Sequence, residues 1–260
     1  MPPAQRRRNV ATQRRAPGRG GRYRRPVPLP TLPAVDRLTL AVVEAVPEWH
    51  PDHAGFAPFP VHAWLVRHPD GAVLVDTGIG PGHSLIDEWY RPRVAPLADA
   101  LAAAGVDPGD VAAVVLSHLH FDHCGQQAAL AAPVYVQAAE HAAAGAPDYT
   151  IDEWAAIPPD RLRLVHGDEE IAPGLRLLAT PGHTPGHQSV VVEAAGGRVV
   201  LAAQCAYRSE EVRTGVPSAG NAFGPDWAAP AAESLARVRA LGPATCHLSH
   251  DPALIELGPP

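Results

Sequence analysis

Residues 118 to 123 read HLHFDH, three histidines and one aspartate in six positions. Imidazole and carboxylate are the ligand types that suit zinc and similar divalent ions. The apolar run VAAVVLS, residues 111 to 117, leads directly into them and reads as a short buried strand. Beyond a strand, alternate side chains point the same way. Continued extension would put His118, His120 and Asp122 on one side, and a turn over Asp122–Gly125 would bring His123 round to join them. A lone pair of histidines would mean little. Four such groups at the end of a buried strand are costly to bury without partners. Ligands from elsewhere would give such a site its shape, and two stretches offer them: TPGHTPGH, residues 180 to 187, with His183 and His187, and LSHD, residues 248 to 251, with His250.

Each of these stretches follows an apolar run. LTLAVVE, VHAWLVR and AVLVDTG read as early strands, and RLRLV, LRLLAT, QSVVVEA, RVVLAAQ and TCHLS as later ones, bounded by Gly, Pro and Asp. APLADALAAAG, QAAEHAAAG and AAPAAESLARVRALG read as helices. Strands come both in clusters and singly between helices, which argues for mixed sheets covered by helices. Placing the histidines at strand ends suits that architecture, because α/β proteins gather their functional loops there.

Composition narrows the function classes. At 46% hydrophobic and 18% charged residues, the chain has the make-up of a water-soluble globular protein. No apolar run approaches the roughly 20 residues that span a bilayer. Cys124, Cys205 and Cys246 are odd in number and widely spaced, so a disulfide framework is not expected and a reducing cytoplasm is. All 21 basic residues are arginine, and nine of them crowd into the first 25 residues without a single acid. Residues 1–30 are therefore expected to be a disordered tail, with residues 31–260 as one domain. That domain keeps twelve arginines against 27 acids, a balance that disfavours a nucleic-acid partner.

The ordered set VDTG, HLHFDH, TPGHTPGH and a late SHD resembles the metallo-β-lactamase superfamily of metal-dependent hydrolases, from about residue 38 to about residue 252. The resemblance implies an αββα sandwich, two mixed sheets face to face with helices outside. It implies one metal at His118, His120 and His183, and a second at Asp122, His123 and His250. Zinc is the expected ion, one or two per chain, with iron or manganese as the other options. His187 matches a supporting position rather than a ligand, and Asp76 in VDTG matches a residue that orients the ligand loop.

One position departs from the family. Where its members carry an aspartate between the metals, this chain has Gln204, in LAAQCAY. An amide oxygen can coordinate but is neutral, so the second ion is expected to bind weakly. Cys205 alongside points to the other face of its strand and is expected in the core.

Within the superfamily, HLHFDHCG, LLATPGHTPGHQSVVV and Tyr207, three residues after Gln204, resemble the quorum-quenching N-acyl-homoserine lactonases. That resemblance implies opening of a lactone or ester by a metal-activated hydroxide. Asp122 would act as the proton carrier, and Tyr207 would contact the substrate carbonyl. Phe56, Phe59, Phe223 and Trp227 lie in segments that read as loops and could line an acyl cleft. A glyoxalase II-like thioesterase on the same fold, and a non-catalytic metal-binding or sensing protein, are the alternatives. The expected partner is a small-molecule substrate, without nucleic acid or membrane, in a monomer or homodimer.

Overall fold

The computed structural model describes residues 33–48, 50 and 53–259, so the arginine-rich segment expected to be a tail lies outside the described residues. Among the described residues the first sheet holds β1 (Ala34–Val43), β2 (Phe59–His68), β3 (Gly71–Val75), β4 (Arg93–Val94), β5 (Val111–Val115), β6 (Val134–Gln137) and β7 (Leu162–Val165). Its spatial order is β4-β1-β2-β3-β5-β6-β7. The second holds β8 (Glu169–Ala172), β9 (Leu175–Ala179), β10 (Gln188–Ala194), β11 (Gly197–Ala203), β12 (Ala244–Leu248) and β13 (Ile255–Leu257), in the order β13-β12-β11-β10-β9-β8. Both sheets are mixed. β3, β5, β6 and β7 run parallel to one another, and β11 runs parallel to β12, while the remaining neighbours are antiparallel.

The period-two alternation of a strand builds the layers. In β2, Trp64 and Val66 point to one face and Ala63 and Leu65 to the other. Trp64 and Val66 meet Leu175, Leu177, Val190 and Val192 of the second sheet, which makes the layer between the sheets. Ala63 and Leu65 pack outward against Leu97 and Leu101 of α2 (Leu97–Ala103), helped by short α1 (Ser84–Trp89) at the edge of the same sheet. On the far side Val191 and Val200 pack against Leu235 and Val238 of α7 (Ala228–Arg239). The architecture is therefore helix, sheet, sheet, helix, as expected. Strands buried on both faces become near-continuous apolar runs, which is why VAAVVLS and QSVVVEA stand out in the sequence.

The shorter elements are α3 (Phe121–Cys124), α4 (Ala138–Ala143), α5 (Asp152–Ala155) and α6 (Ser209–Thr214). None of the described helices is long and apolar enough to cross a membrane. The loops after β3, β5, β9, β11 and β12 all emerge at one end of the sandwich. Backbone bonds stitch the sheets together there: Gln188 N–H donates to Ser117 O at 2.8 Å, and His62 N–H to Ser249 O at 2.9 Å.

Candidate metal centre

The two neighbouring strand ends β3 and β5 set the floor of the site. Just past β3, Asp76 takes a left-handed backbone with φ of 63°, an uncommon conformation for a residue with a side chain. Its fully buried carboxylate faces the next strand end. Oδ1 accepts from Ser117 N–H at 2.7 Å, and Oδ2 accepts from Ser117 Oγ at 2.8 Å and from His123 Nδ1 at 2.8 Å. The chain then stays extended only as far as His120. Phe121–Cys124 forms a short helical turn, so Asp122 and His123 reach the site from a helix. This corrects the expectation of extension through residue 122. Gly125 closes the turn against Gly78 and Gly80, where any Cβ would collide with backbone.

The side chains gather into two groups. In His118, His120 and His183, one ligand atom per residue lies within 4.8 Å of the others, and the same holds for Asp122, His123 and His250. His183 Nε2 stands 3.1 Å from His120 Nδ1. Asp122 Oδ2 stands 3.5 Å from His123 Nε2 and 3.4 Å from His250 Nε2. The rings of His118 and His123 are 4.0 Å apart, so the groups adjoin.

The outward-facing nitrogens fix the tautomers. A carboxylate and a carbonyl only accept. Hence His123 Nδ1 donates to Asp76, and His250 Nδ1 donates to Pro60 O at 2.9 Å. Ser117 Oγ spends its proton on Asp76, so His118 Nδ1 donates to Ser117 Oγ at 3.0 Å. All three imidazoles therefore turn Nε2 toward the site. His118 Nε2 and His123 Nε2 are buried without a hydrogen-bond partner. A buried ring nitrogen left without a partner costs roughly 1–3 kcal/mol, and a divalent cation between such nitrogens removes that cost. The donor set, five imidazoles and one carboxylate, matches the chemistry of zinc and similar ions.

The electrostatics agree. Burial, reinforced by neighbouring imidazoles, holds His118 and His183 well below the ordinary histidine range and keeps them neutral, as ligands must be. Burial also opposes charge on Asp122 and His123, yet their mutual attraction prevails. Asp122 is held below the usual carboxylate range, and His123 is raised to about 10 with Asp76 contributing. The Asp122 and Asp76 carboxylates thus favour positive charge at His123, while burial holds His250 below the ordinary histidine range.

His187 differs from the six. Its Nδ1 meets Thr180 O at 3.0 Å and Thr180 Oγ1 at 2.9 Å, and its Nε2 accepts from Gln204 N–H at 3.1 Å. Both nitrogens are used within the protein, and burial drives its pKa down to about 3. It supports the floor 5.5 Å from the His118 ring. Gln204 sits in the turn after β11, just past Ala203, whose φ is 49°. Its side-chain oxygen is buried without a partner. Cys205 turns away into the layer under α7, and burial raises its thiol above the usual range. Cys124 is packed in the core under α2.

Tyr207 is half-buried, its ring 5.6 Å from His183 and 6.1 Å from His250, so it spans the two groups. Phe59 begins β2 rather than a loop and packs 4.9 Å from the His250 ring, with Phe56 behind it. On the opposite side Tyr149 lies 5.1 Å from His120 and 5.9 Å from Phe223, which in turn meets Trp227. His50 rests edge-on against Tyr90. Sequence reasoning missed Ser117, Tyr149 and Glu140. Ser117 sits directly before the motif, but nothing in the sequence marked its bond to Asp76.

The family profile that matches residues 56–250 is described as the metallo-beta-lactamase superfamily. A Bacillus sp. N-acyl homoserine lactonase is 35% identical over 176 residues, which cover 62% of this chain and 70% of the relative. The N-acyl homoserine lactonase of Bacillus thuringiensis is 33% identical over 194 residues, covering 69% and 76%. A solved N-acyl homoserine lactone hydrolase, with N-hexanoyl-L-homoserine bound at its catalytic metal centre, superposes with a TM-score of 0.71 at 27% identity, covering 85% of this chain and 93% of that one. Motif order, layered architecture and the paired ligand groups coincide with the matched span: the chain belongs to the metallo-beta-lactamase superfamily.

Proposed function

We propose that the protein is a metal-dependent lactonase acting on N-acyl-homoserine lactone-like substrates. The observation that carries this reading is Tyr207 lying across two adjoining buried ligand groups, in a chain similar to lactonases along the same span. His118, His120 and His183 would hold one zinc ion and Asp122, His123 and His250 a second, with Gln204, whose side-chain oxygen is buried without a partner, as a weak neutral ligand. When bound, such ions supply Lewis acidity, polarising a carbonyl and acidifying water.

The chain's own residues do the rest. Tyr207 donates its hydroxyl proton in a hydrogen bond to the substrate carbonyl oxygen as negative charge develops there. Asp122 takes a proton from the attacking water at Oδ and returns it to the ring oxygen as the carbonyl C–O bond breaks. The product is the open hydroxy acid, one water heavier. Phe59 on one side, and Phe223 with Trp227 on the other, offer apolar contact to an acyl tail. The buried free thiols Cys124, Cys205 and Cys246 support a cytoplasmic setting. Residues 31–260 are proposed as the hydrolase domain and residues 1–30 as dispensable for it.

A substrate panel tests the reading. The zinc-loaded protein is expected to favour N-acyl homoserine lactones in kcat/KM over simple esters and over S-lactoylglutathione. Tyr207→Phe is expected to lower kcat on the lactone by on the order of 10²-fold. Preference for the thioester, with Tyr207→Phe neutral, would replace this reading with the glyoxalase II-like one.

A further inference from the structure

Glu140 has no part in the chemistry above, yet its side chain is fully buried. It belongs to α4, an alanine-rich helix that gives no sign of an inward-facing acid. A buried carboxylate is tolerated only when its lone pairs are well satisfied. Here four donors converge on it. Oε1 accepts from Leu119 N–H at 2.9 Å and from the Tyr149 hydroxyl at 2.5 Å. Oε2 accepts from Thr184 Oγ1 at 2.6 Å and from Gly186 N–H at 3.1 Å.

These donors occupy particular places. Leu119 lies between His118 and His120, and Thr184 directly follows His183. Tyr149 packs its ring against His120. One carboxylate thus joins the two chain segments that supply all three imidazoles of the first group. The second segment is pressed so closely onto α4 that a Cβ at Gly186 would collide with the backbone of Glu140. The other group has its own buried carboxylate, Asp76, bonded directly to His123.

We propose that Glu140 is a positioning residue that fixes the distance between the two ligand segments, and through it the metal affinity and ligand field of the His118–His120–His183 group. This rests on the reading of that group as a metal site. Glu140→Gln keeps the shape but turns one oxygen into an NH2. Hydroxyls can rotate to accommodate that change, but a backbone N–H cannot. Whichever oxygen is replaced, either Leu119 or Gly186 then faces a donor.

The test uses the full-length chain, stripped of metal and titrated with zinc against a chelating dye of known affinity. The visible absorption of the cobalt(II)-substituted protein is recorded alongside. Wild type is expected to bind zinc tightly. Glu140→Gln should lose about 10- to 100-fold in affinity at the tighter site and shift the cobalt bands. Thr184→Val removes one tie and leaves the carboxylate three donors, and should lose roughly fivefold at the same site. Wild-type zinc affinity and an unchanged cobalt spectrum in Glu140→Gln would overturn the proposal, even with a lowered melting temperature. If Glu140→Gln does not fold, Thr184→Val with wild-type affinity overturns it equally. A wild type that binds no zinc would instead bring down the metal reading beneath it, an outcome distinct from tight wild-type binding that the variants leave intact.

Discussion

Asp122→Asn is expected to slow lactone opening by about 10²- to 10⁴-fold at saturating zinc, with the fold retained. The asparagine keeps an oxygen beside His123 and His250 and nearly the same volume. It cannot take a proton from water and pass it to a departing alkoxide, whose expulsion without one is slow. The loss should fall mainly on kcat, because the acyl tail still finds Phe59 and Phe223. Circular dichroism and zinc content measured on the same sample separate a catalytic loss from a metal loss. Turnover within threefold of wild type at full zinc occupancy would assign the proton transfer to another group.

Gln204→Asp is expected to tighten the second zinc by at least about tenfold, and to raise turnover with it. Two divalent ions in adjoining groups repel strongly. Even single charges 4 Å apart interact by about 4 kcal/mol at an effective dielectric near 20. Against that repulsion the two groups offer one carboxylate, Asp122. Asp76 contributes only from behind His123. A carboxylate at position 204, where an amide oxygen now lies buried without a partner, would supply the missing charge. Wild type should therefore take up one zinc tightly, at the three-histidine group, and a second weakly. Calorimetric titration of both forms measures this. Two equal, tight sites in wild type and no change in the variant would mean that the Gln204 oxygen coordinates as well as an acid. A wild type inert toward lactones whose Gln204→Asp form hydrolyses them would favour the non-catalytic reading of the native chain.

The clustered histidines were legible because metal chemistry restricts both residue type and spacing. HLHFDH, TPGH and SHD each follow a mostly buried strand, which shows as an unbroken Val and Ala run before HLHFDH and as a shorter, mixed run before TPGH and SHD. What escaped was short or indirect. β4 has two residues and β13 three, too few for a period to register. The turn Phe121–Cys124 reads as extended because helical and extended chain cannot be told apart over four residues. Phe59 looked like loop because Pro58 and Pro60 flank it, yet it opens an antiparallel pairing with Val43. Glu140 was invisible for a different reason. Its partners are backbone amides and hydroxyls from segments far away in sequence, and an acid on a short alanine-rich helix resembles any solvated one.

The ligand groups are proposed to support water addition to a lactone. Mass spectrometry of an N-acyl homoserine lactone incubated with the zinc-loaded full-length chain tests it most directly. Conversion to the acyl homoserine, one water heavier, stopped by chelator and restored by zinc, is the expected result. A protein with zinc bound at the three-histidine group that leaves the lactone intact would contradict it.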